Sequence, residues 1–360
     1  MIRGLLIMLM LSAFARAEVI EFATPSDDRW HYPFNFTPGF RATGSCFGAV
    51  GAPGFNERDA YIVVAWDTGE QVCPGLGPEA YDVQSITVTL TNQAGAEWPP
   101  DTTVDEWFTY VGQSDPDPGR PLELFGAGFG STHDEITWVE SSLFVGATDN
   151  AQAPRDPFPF VFQDGTDNVL HVEDSVTGLH NGSVIPPLCD DPDGICPFTP
   201  TPWAIGVPVG YTSLEPFDVE FAIDLGLSDG AVRRYFEEQL DAGRVIVIVT
   251  SLREAEMQGP QSGFPSFFMK EVLPFNPAAK APALRIEVII TPSGDLDGDG
   301  DVTLFDWAAL AECVAGPETI PDPAPELTTE DCLCWFDFDR DGDVDLHDMG
   351  AFQVRFMGGG

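Results

Sequence analysis

Basic residues are almost missing from this chain. Its 360 residues carry 16 Lys and Arg against 58 Asp and Glu, a formal net charge of −42, and the only lysines are Lys270 and Lys280. With no cluster of Lys or Arg to neutralise a phosphate backbone, nucleic acid is excluded as a partner. Anionic membranes are disfavoured for the same reason. Past the first dozen residues no stretch stays apolar for the roughly 20 residues that a bilayer span needs, so no membrane span is expected. No phosphate-binding loop and no Cys-x-x-Cys metal pair occurs, and the histidines, His31, His133, His171, His180 and His347, show no metal spacing. Strands do not alternate with helices, which argues against a parallel α/β enzyme fold. An excess of carboxylates, by contrast, suits solubility in a salty medium and the binding of divalent cations.

The chain opens with a short charged start, Met1-Ile2-Arg3-Gly4, then an apolar run from Leu5 to Leu11, then Ser12-Ala13-Phe14-Ala15-Arg16-Ala17. This has the form of an export signal with an Ala-x-Ala site, so cleavage after Ala17 is expected, leaving a secreted or cell-surface protein. Cleavage would remove Arg3 and Arg16 and move the net charge from −42 to −44. In an exported chain the seven cysteines should mostly be paired. Spacing points to Cys46 with Cys73, and to Cys189 with Cys196 closing a small loop. Cys313, Cys332 and Cys334 remain, so one thiol is expected to be unpaired or bonded to another chain.

Residues 18–290 have a β texture. Tyr61–Trp66, Ser85–Leu90, Val219–Leu225, Arg244–Val249 and Leu284–Ile289 read as strands, and several alternate apolar with polar residues between Gly- and Pro-rich segments. That pattern predicts antiparallel strands with one buried face, an antiparallel β-sandwich. One segment departs from it: Val232, Phe236 and Leu240 recur every four residues, with Ser228 as an N-cap candidate and Gly243 as a stop, which predicts one short helix. The Pro- and Gly-rich stretch 177–208 reads as a long loop. Residues 291–294, Thr-Pro-Ser-Gly, form a linker to a last segment, 295–360, of different composition.

That last segment holds an internal repeat. Asp295-Leu-Asp297-Gly-Asp299-Gly300-Asp301-Val-Thr303-Leu304-Phe305-Asp306 recurs at an offset of 42 as Asp337-Phe-Asp339-Arg-Asp341-Gly342-Asp343-Val-Asp345-Leu346-His347-Asp348. Both loops place oxygen donors at positions 1, 3, 5, 9 and 12 and glycine at position 6, the ligand order of an EF-hand calcium loop. A hard cation takes six to eight oxygens, and the glycine lets the chain turn sharply enough to supply them. Position 7, Asp301 or Asp343, would offer its backbone carbonyl; position 9, Thr303 or Asp345, would bind directly or through water. Two Ca2+ sites are expected. Four carboxylates are expected to converge in the first loop, Asp295, Asp297, Asp299 and Asp306, and without calcium each close pair costs on the order of 1 kcal/mol or more. After each loop, Leu310 and Val314, then Phe352 and Phe356, recur four apart and predict one short helix per loop.

A loop followed by one helix, twice, with Asp at position 12, resembles type I dockerin modules over residues 294–358. The resemblance implies calcium-dependent folding, docking to a cohesin-like partner through positions 10 and 11, here Leu304 with Phe305 and Leu346 with His347, and an association with polysaccharide degradation. The usual small hydroxyl pair is absent at these positions, which points away from a cohesin of the familiar kind and toward another protein surface. The insert between the repeats is longer than usual, and Cys313 is expected to bond to Cys332 or Cys334. In the body, Asp59–Trp66, Ile86–Leu90 and Pro282–Val288 are similar to the jelly-roll modules that accompany dockerins in large secreted bacterial proteins.

Three functional expectations follow. In the first, the sandwich binds polysaccharide or matrix without catalysis and the tail docks it; Trp30, Tyr32, Phe34, Phe36, Trp98, Trp107, Phe108, Tyr110, Trp138 and Trp203 supply rings for sugar stacking, or for the core. In the second, the protein is a dockerin-bearing hydrolase using two carboxylates across a cleft, with Glu21, Glu106, Glu135 and Glu220 available. A third reading is a cell-surface structural or adhesion protein.

Overall fold

The computed structural model of the chain describes residues 17–32, 35, 37, 39–48, 57–94, 98, 100–117, 119–130, 133–142, 156–163, 168–173, 175–176, 197–211, 215–254, 263–276 and 279–358. The expected export signal, the Cys189–Cys196 loop, Phe34 and Phe36 lie outside the described residues. The architecture is mainly β: two antiparallel sheets of seven strands each, arranged like a β-sandwich, with four short helices.

In chain order the elements are β1 (Glu18–Phe22), β2 (Asp27–His31), β3 (Thr43–Ser45), β4 (Tyr61–Asp67), β5 (Tyr81–Asn92), β6 (Glu123–Gly128), β7 (Phe158–Phe162), β8 (Val169–His171), β9 (Ala204–Ile205), β10 (Val207–Val209), β11 (Phe217–Ala222), α1 (Leu227–Asp241), β12 (Arg244–Thr250), β13 (Ser266–Phe268), β14 (Ala283–Ile290), α2 (Leu304–Cys313), α3 (Thr329–Phe336) and α4 (Leu346–Gly358). The first sheet runs β1-β14-β5-β11-β10, with β13 joining β3 to β5; the second runs β2-β4-β12-β6-β7-β8, with β9 on β6.

The two sheets differ in how they bury their faces. In the first, β14 and β11 alternate buried and more exposed residues along their length, as period two requires of a sheet with one open face. In the second, β12 is buried at every position and β4 at all but Asp67. Their uninterrupted apolar runs, Val245 to Val249 against Ile62 to Trp66, are therefore covered on both faces. Tyr61, Val63, Ala65, Ala127, Trp138, Ile246 and Ile248 form one apolar cluster there.

Helix α1 carries Val232, Phe236 and Leu240 fully buried, as their spacing predicts. Its start differs from expectation. Ser228, Asp229 and Gly230 take positive φ values of 50°, 54° and 82°, so regular helix begins at Ala231 and Ser228 does not cap it. A Ser-Asp-Gly run suits this left-handed turn because Asp and Gly tolerate that region best. Tyr235 then ties the helix to the sheet, donating to the Ile246 carbonyl at 2.8 Å.

The expected pairing of Cys46 with Cys73 is wrong. Cys46 is a free, wholly buried thiol whose Sγ donates to the Val249 carbonyl at 3.2 Å, while Cys73 is disulfide-bonded. The unpaired thiol is thus not among Cys313, Cys332 and Cys334, all of which are in disulfides. Sequence spacing carries no information on which side chains a fold brings to the 4.4–6.8 Å Cα separation a disulfide needs. The expected link from Cys313 is made to Cys332, with Cα atoms 5.3 Å apart.

By internal contacts the chain divides into two compact units. Among the described residues, one comprises those within 19–74 and 83–287; the other takes 17–18, 75–82 and 288–358. No helix among the described residues is long and apolar enough to cross a membrane.

Candidate functional site

Both repeated loops fold the same way, and the reason lies in their acidic side chains. In the first, Asp295 at position 1 accepts from the N–H groups of Gly298 (3.0 Å) and Gly300 (2.8 Å), Asp299 from Asp301 (2.9 Å), and Asp306 at position 12 from Leu296 and Thr303 (both 2.8 Å). The second repeats this at an offset of 42: Asp337 accepts from Gly342 (2.9 Å), Asp341 from Asp343 (3.2 Å), and Asp348 from Phe338 (2.7 Å) and Asp345 (2.8 Å). Each loop is wound around its own carboxylates. Gly300 and Gly342 make the sharp turn at φ +90° and +92°.

The convergence of donors is not identical. Asp295, Asp297 and Asp299 bring one oxygen each within 4.8 Å of one another, and Asp306 stands outside that trio. In the second loop Asp337, Asp339 and Asp348 converge to the same limit, so position 12 does join, and Asp343, Asp345 and Asp348 form a second group. The expectation of four converging carboxylates in the first loop is therefore met by three. Position 7 behaves differently in the two loops. Asp301 is exposed, whereas Asp343 is buried and its carboxylate accepts from the Glu318 N–H in the insert.

Burial and mutual repulsion act together on these carboxylates. Desolvation first, then the charges of Asp348 and Asp341, push Asp337 up to about 6. Asp339 and Asp348 are also pushed up, by desolvation and neighbouring carboxylates, and so is Asp297, by desolvation and then Asp299, Asp306 and Asp295. Asp339 Oδ1 and Asp343 Oδ1 are buried with no hydrogen-bond partner. An all-oxygen donor set with orphaned buried oxygens and excess negative charge fits a hard divalent cation.

The helices pack on one another. Leu310, Cys313, Cys332, Phe336, Val344 and Phe352 form a buried core in this unit, with Val314 and Phe356 at its margin. Sequence reasoning missed α3, which directly precedes the second loop, so that loop has a helix on both sides and the first only on one. Its signal was present: Thr328 and Asp331 make a reciprocal capping box. The first residues of α2 and α4 stay outside the core. Leu304, Phe305, Leu346 and the His347 side chain are 74%, 58%, 75% and 82% exposed.

In the body, the rings nominated for sugar stacking divide. Trp98, Trp138 and Trp203 are core residues at 2% exposure or less. Trp30 and Tyr32 are half-buried and stack at 5.0 Å, and Trp107 and Phe108 lie near the surface at 6.1 Å from each other. Of the nominated carboxylates, Glu21 and Glu220 line one groove of about 480 Å³ with Thr89, Thr91, Asp218 and Arg285; Glu106 and Glu135 lie elsewhere. Sequence reasoning finds no Gly-x-Ser-x-Gly pattern, and that reading is wrong: Gly226-Leu227-Ser228-Asp229-Gly230 has the form of a nucleophile elbow between a strand and a helix. Ser228 lines a recess with Phe162, Leu170 and Trp203, but its hydroxyl donates to the Phe162 carbonyl at 3.4 Å and, among the described residues, meets no imidazole. A serine nucleophile needs such a base.

No protein-family model, curated protein or solved structure matches this chain.

Proposed function

We propose that the C-terminal segment is a calcium-organised, dockerin-like docking module of a secreted protein, and that the sandwich it carries binds polysaccharide or matrix in the setting of polysaccharide degradation. The observation that supports this most is the pair of loops with matching hydrogen-bond sets, each leading into a helix whose first two residues are exposed. In this reading Asp295, Asp297, Asp299, Thr303 and Asp306, and Asp337, Asp339, Asp341, Asp345 and Asp348, hold one ion each, with the carbonyls of Asp301 and Asp343. Leu304, Phe305, Leu346 and His347 then meet the partner. Three large apolar side chains in that set fit a hydrophobic protein surface better than a polar one.

Calorimetry tests the metal claim. Substituting Asp295→Ala together with Asp337→Ala in the full chain is expected to remove two calcium equivalents and to lower the helical circular-dichroism signal. Unchanged helicity in chelator, with unchanged calcium uptake by the variant, would sink it. For the body, retention of the protein on plant or algal polysaccharides without release of reducing sugar supports binding alone. The shared groove of Glu21 and Glu220 favours one competing reading, a hydrolase, and released reducing sugar that disappears in Glu220→Gln would establish that instead.

A further inference from the structure

Two further acidic groups lie among the described residues of the body, far in sequence from the repeated loops, and one of them holds two buried carboxylate oxygens that no donor meets. Asp28 on β2, Glu140 in the segment before Ser142, and Glu271 in the single 3-10 turn after β13 each bring one carboxylate oxygen within 4.8 Å of the others. Asp28 is wholly buried, and Glu140 and Glu271 are half-buried. One Asp28 oxygen is engaged: Oδ2 accepts from the Lys270 N–H at 2.7 Å. The other, Oδ1, meets no N–H or O–H donor, and neither does the buried Oε2 of Glu271; the two carboxyl groups lie within hydrogen-bond reach of each other. Orphaned carboxylate oxygens at zero exposure are costly unless something positive meets them.

Among the described residues one positive group, Lys270, acts on Asp28, and it is already occupied. Lys270 Nζ sits 2.5 Å from Glu140 Oε2 and also donates to the Ser26 carbonyl. Three carboxylates against one ammonium leave two negative charges uncompensated when all are ionised. Calcium takes oxygen ligands at about 2.3–2.6 Å, so its ligands stand within about 5 Å of one another, the spacing this trio has. The half-buried glutamates leave a way in.

We propose that Asp28, Glu140 and Glu271 form a calcium site in the body, independent of the two loops of the C-terminal unit. The site joins β2, the segment 139–142 and the turn after β13, three pieces more than a hundred residues apart in the chain. Calcium would therefore act as a cross-link within the body.

The test uses the full chain and calcium itself. Asp28→Asn keeps an acceptor for the Lys270 N–H but removes the charge, and is expected to take up one calcium equivalent fewer than the parent chain. The same loss is expected when the substitution is added to Asp295→Ala with Asp337→Ala, so the outcome does not depend on the tail. In chelator Asp28→Asn should melt at or above the parent temperature, because a destabilising buried carboxyl has gone; in calcium it should lack the calcium-induced rise of the body's transition. Glu271→Gln, at a half-buried position, should reproduce the lost equivalent or weaken that site at least tenfold. Unchanged stoichiometry in both variants overturns the proposal, as does an equal fall in melting temperature with and without calcium, which marks a structural role only.

Discussion

At Arg340 the backbone lies at φ +58°, in the left-handed region that costs a non-glycine residue about 1 kcal/mol or more. Its counterpart in the first loop is Gly298, at φ +68°. What the second loop gains for this strain is an ion pair: Arg340 Nε lies 2.9 Å and Nη2 3.3 Å from the two oxygens of Glu18. Part-exposed pairs of this kind contribute about 0–1 kcal/mol, so strain and pair nearly cancel. Arg340→Gly should leave stability close to the parent, and Arg340→Ala, which keeps the strain and loses the pair, should fall about 1 kcal/mol below it in urea unfolding. The opposite order would mean that the turn is not strained. Elsewhere a residue's value is set by burial. Arg58 is fully buried and holds Glu123 through two hydrogen bonds, at 3.0 and 3.2 Å, while its remaining nitrogen donates to Val172 and Ser175, both at 2.7 Å. Glu57, 3.8 Å from the same guanidinium and equally buried, is a second carboxylate partner. Glu123→Gln weakens one of the two carboxylate contacts of a buried guanidinium while Glu57 stays, and should cost about 1–3 kcal/mol, read as a lower urea midpoint with an unchanged slope. Cys46 is the quiet case. Burial pushes its thiol far above the ordinary range, so alkylation followed by mass spectrometry should label it only after denaturation.

At the scale of elements, the second loop and its helices are governed by carboxylates that resist ionisation together. Because Asp337 is raised to about 6 from an ordinary 3.8, the calcium-free folded loop binds more protons than the unfolded chain does. Its stability is then greatest at low pH and is lost as pH rises through about 6. Calcium reverses the sign, since it needs the ionised form and competes with those protons. In chelator, helicity should rise as pH falls from 7.5 to 5, whereas calcium affinity should drop over the same interval; a calcium affinity flat across it would contradict this account. These loops were legible in the sequence because one ion's coordination dictates residue type at fixed spacing, and winding around Asp295 and Asp337 needs nothing from the rest of the chain. The strands β4 and β12 were legible as strands, but not that both their faces are covered, since that depends on what packs above them. Helix α3 was hidden inside a Pro-rich insert despite its capping box. The partners of Cys46, and the meeting of Asp28 with Glu140 and Glu271, were not legible at all, because long-range proximity has no local pattern.

At the scale of the whole molecule, a net charge of −42 makes self-repulsion a property of every folded surface. Few basic groups are available to offset it, and the most buried of them are committed to local structure: Arg58 to Glu123, Arg29 to the Ser142 carbonyl, and Arg244 to Asp27 and to the Trp138 carbonyl. A protein stabilised chiefly by surface ion pairs weakens as salt screens them, whereas one limited by like-charge repulsion gains. The Debye length falls from about 14 Å at 0.05 M to about 4 Å at 0.5 M ionic strength, which removes repulsion between carboxylates spread over the surface but scarcely touches those packed within 4.8 Å in the acidic groups. Melting temperature in chelator is therefore expected to climb with sodium chloride over that interval and then level off below the value reached with millimolar calcium at the same ionic strength. The residual gap isolates what a divalent ion does at short range. If sodium chloride alone closed the gap, calcium would be acting as a generic screening ion, and neither the loop sites nor the body site would stand.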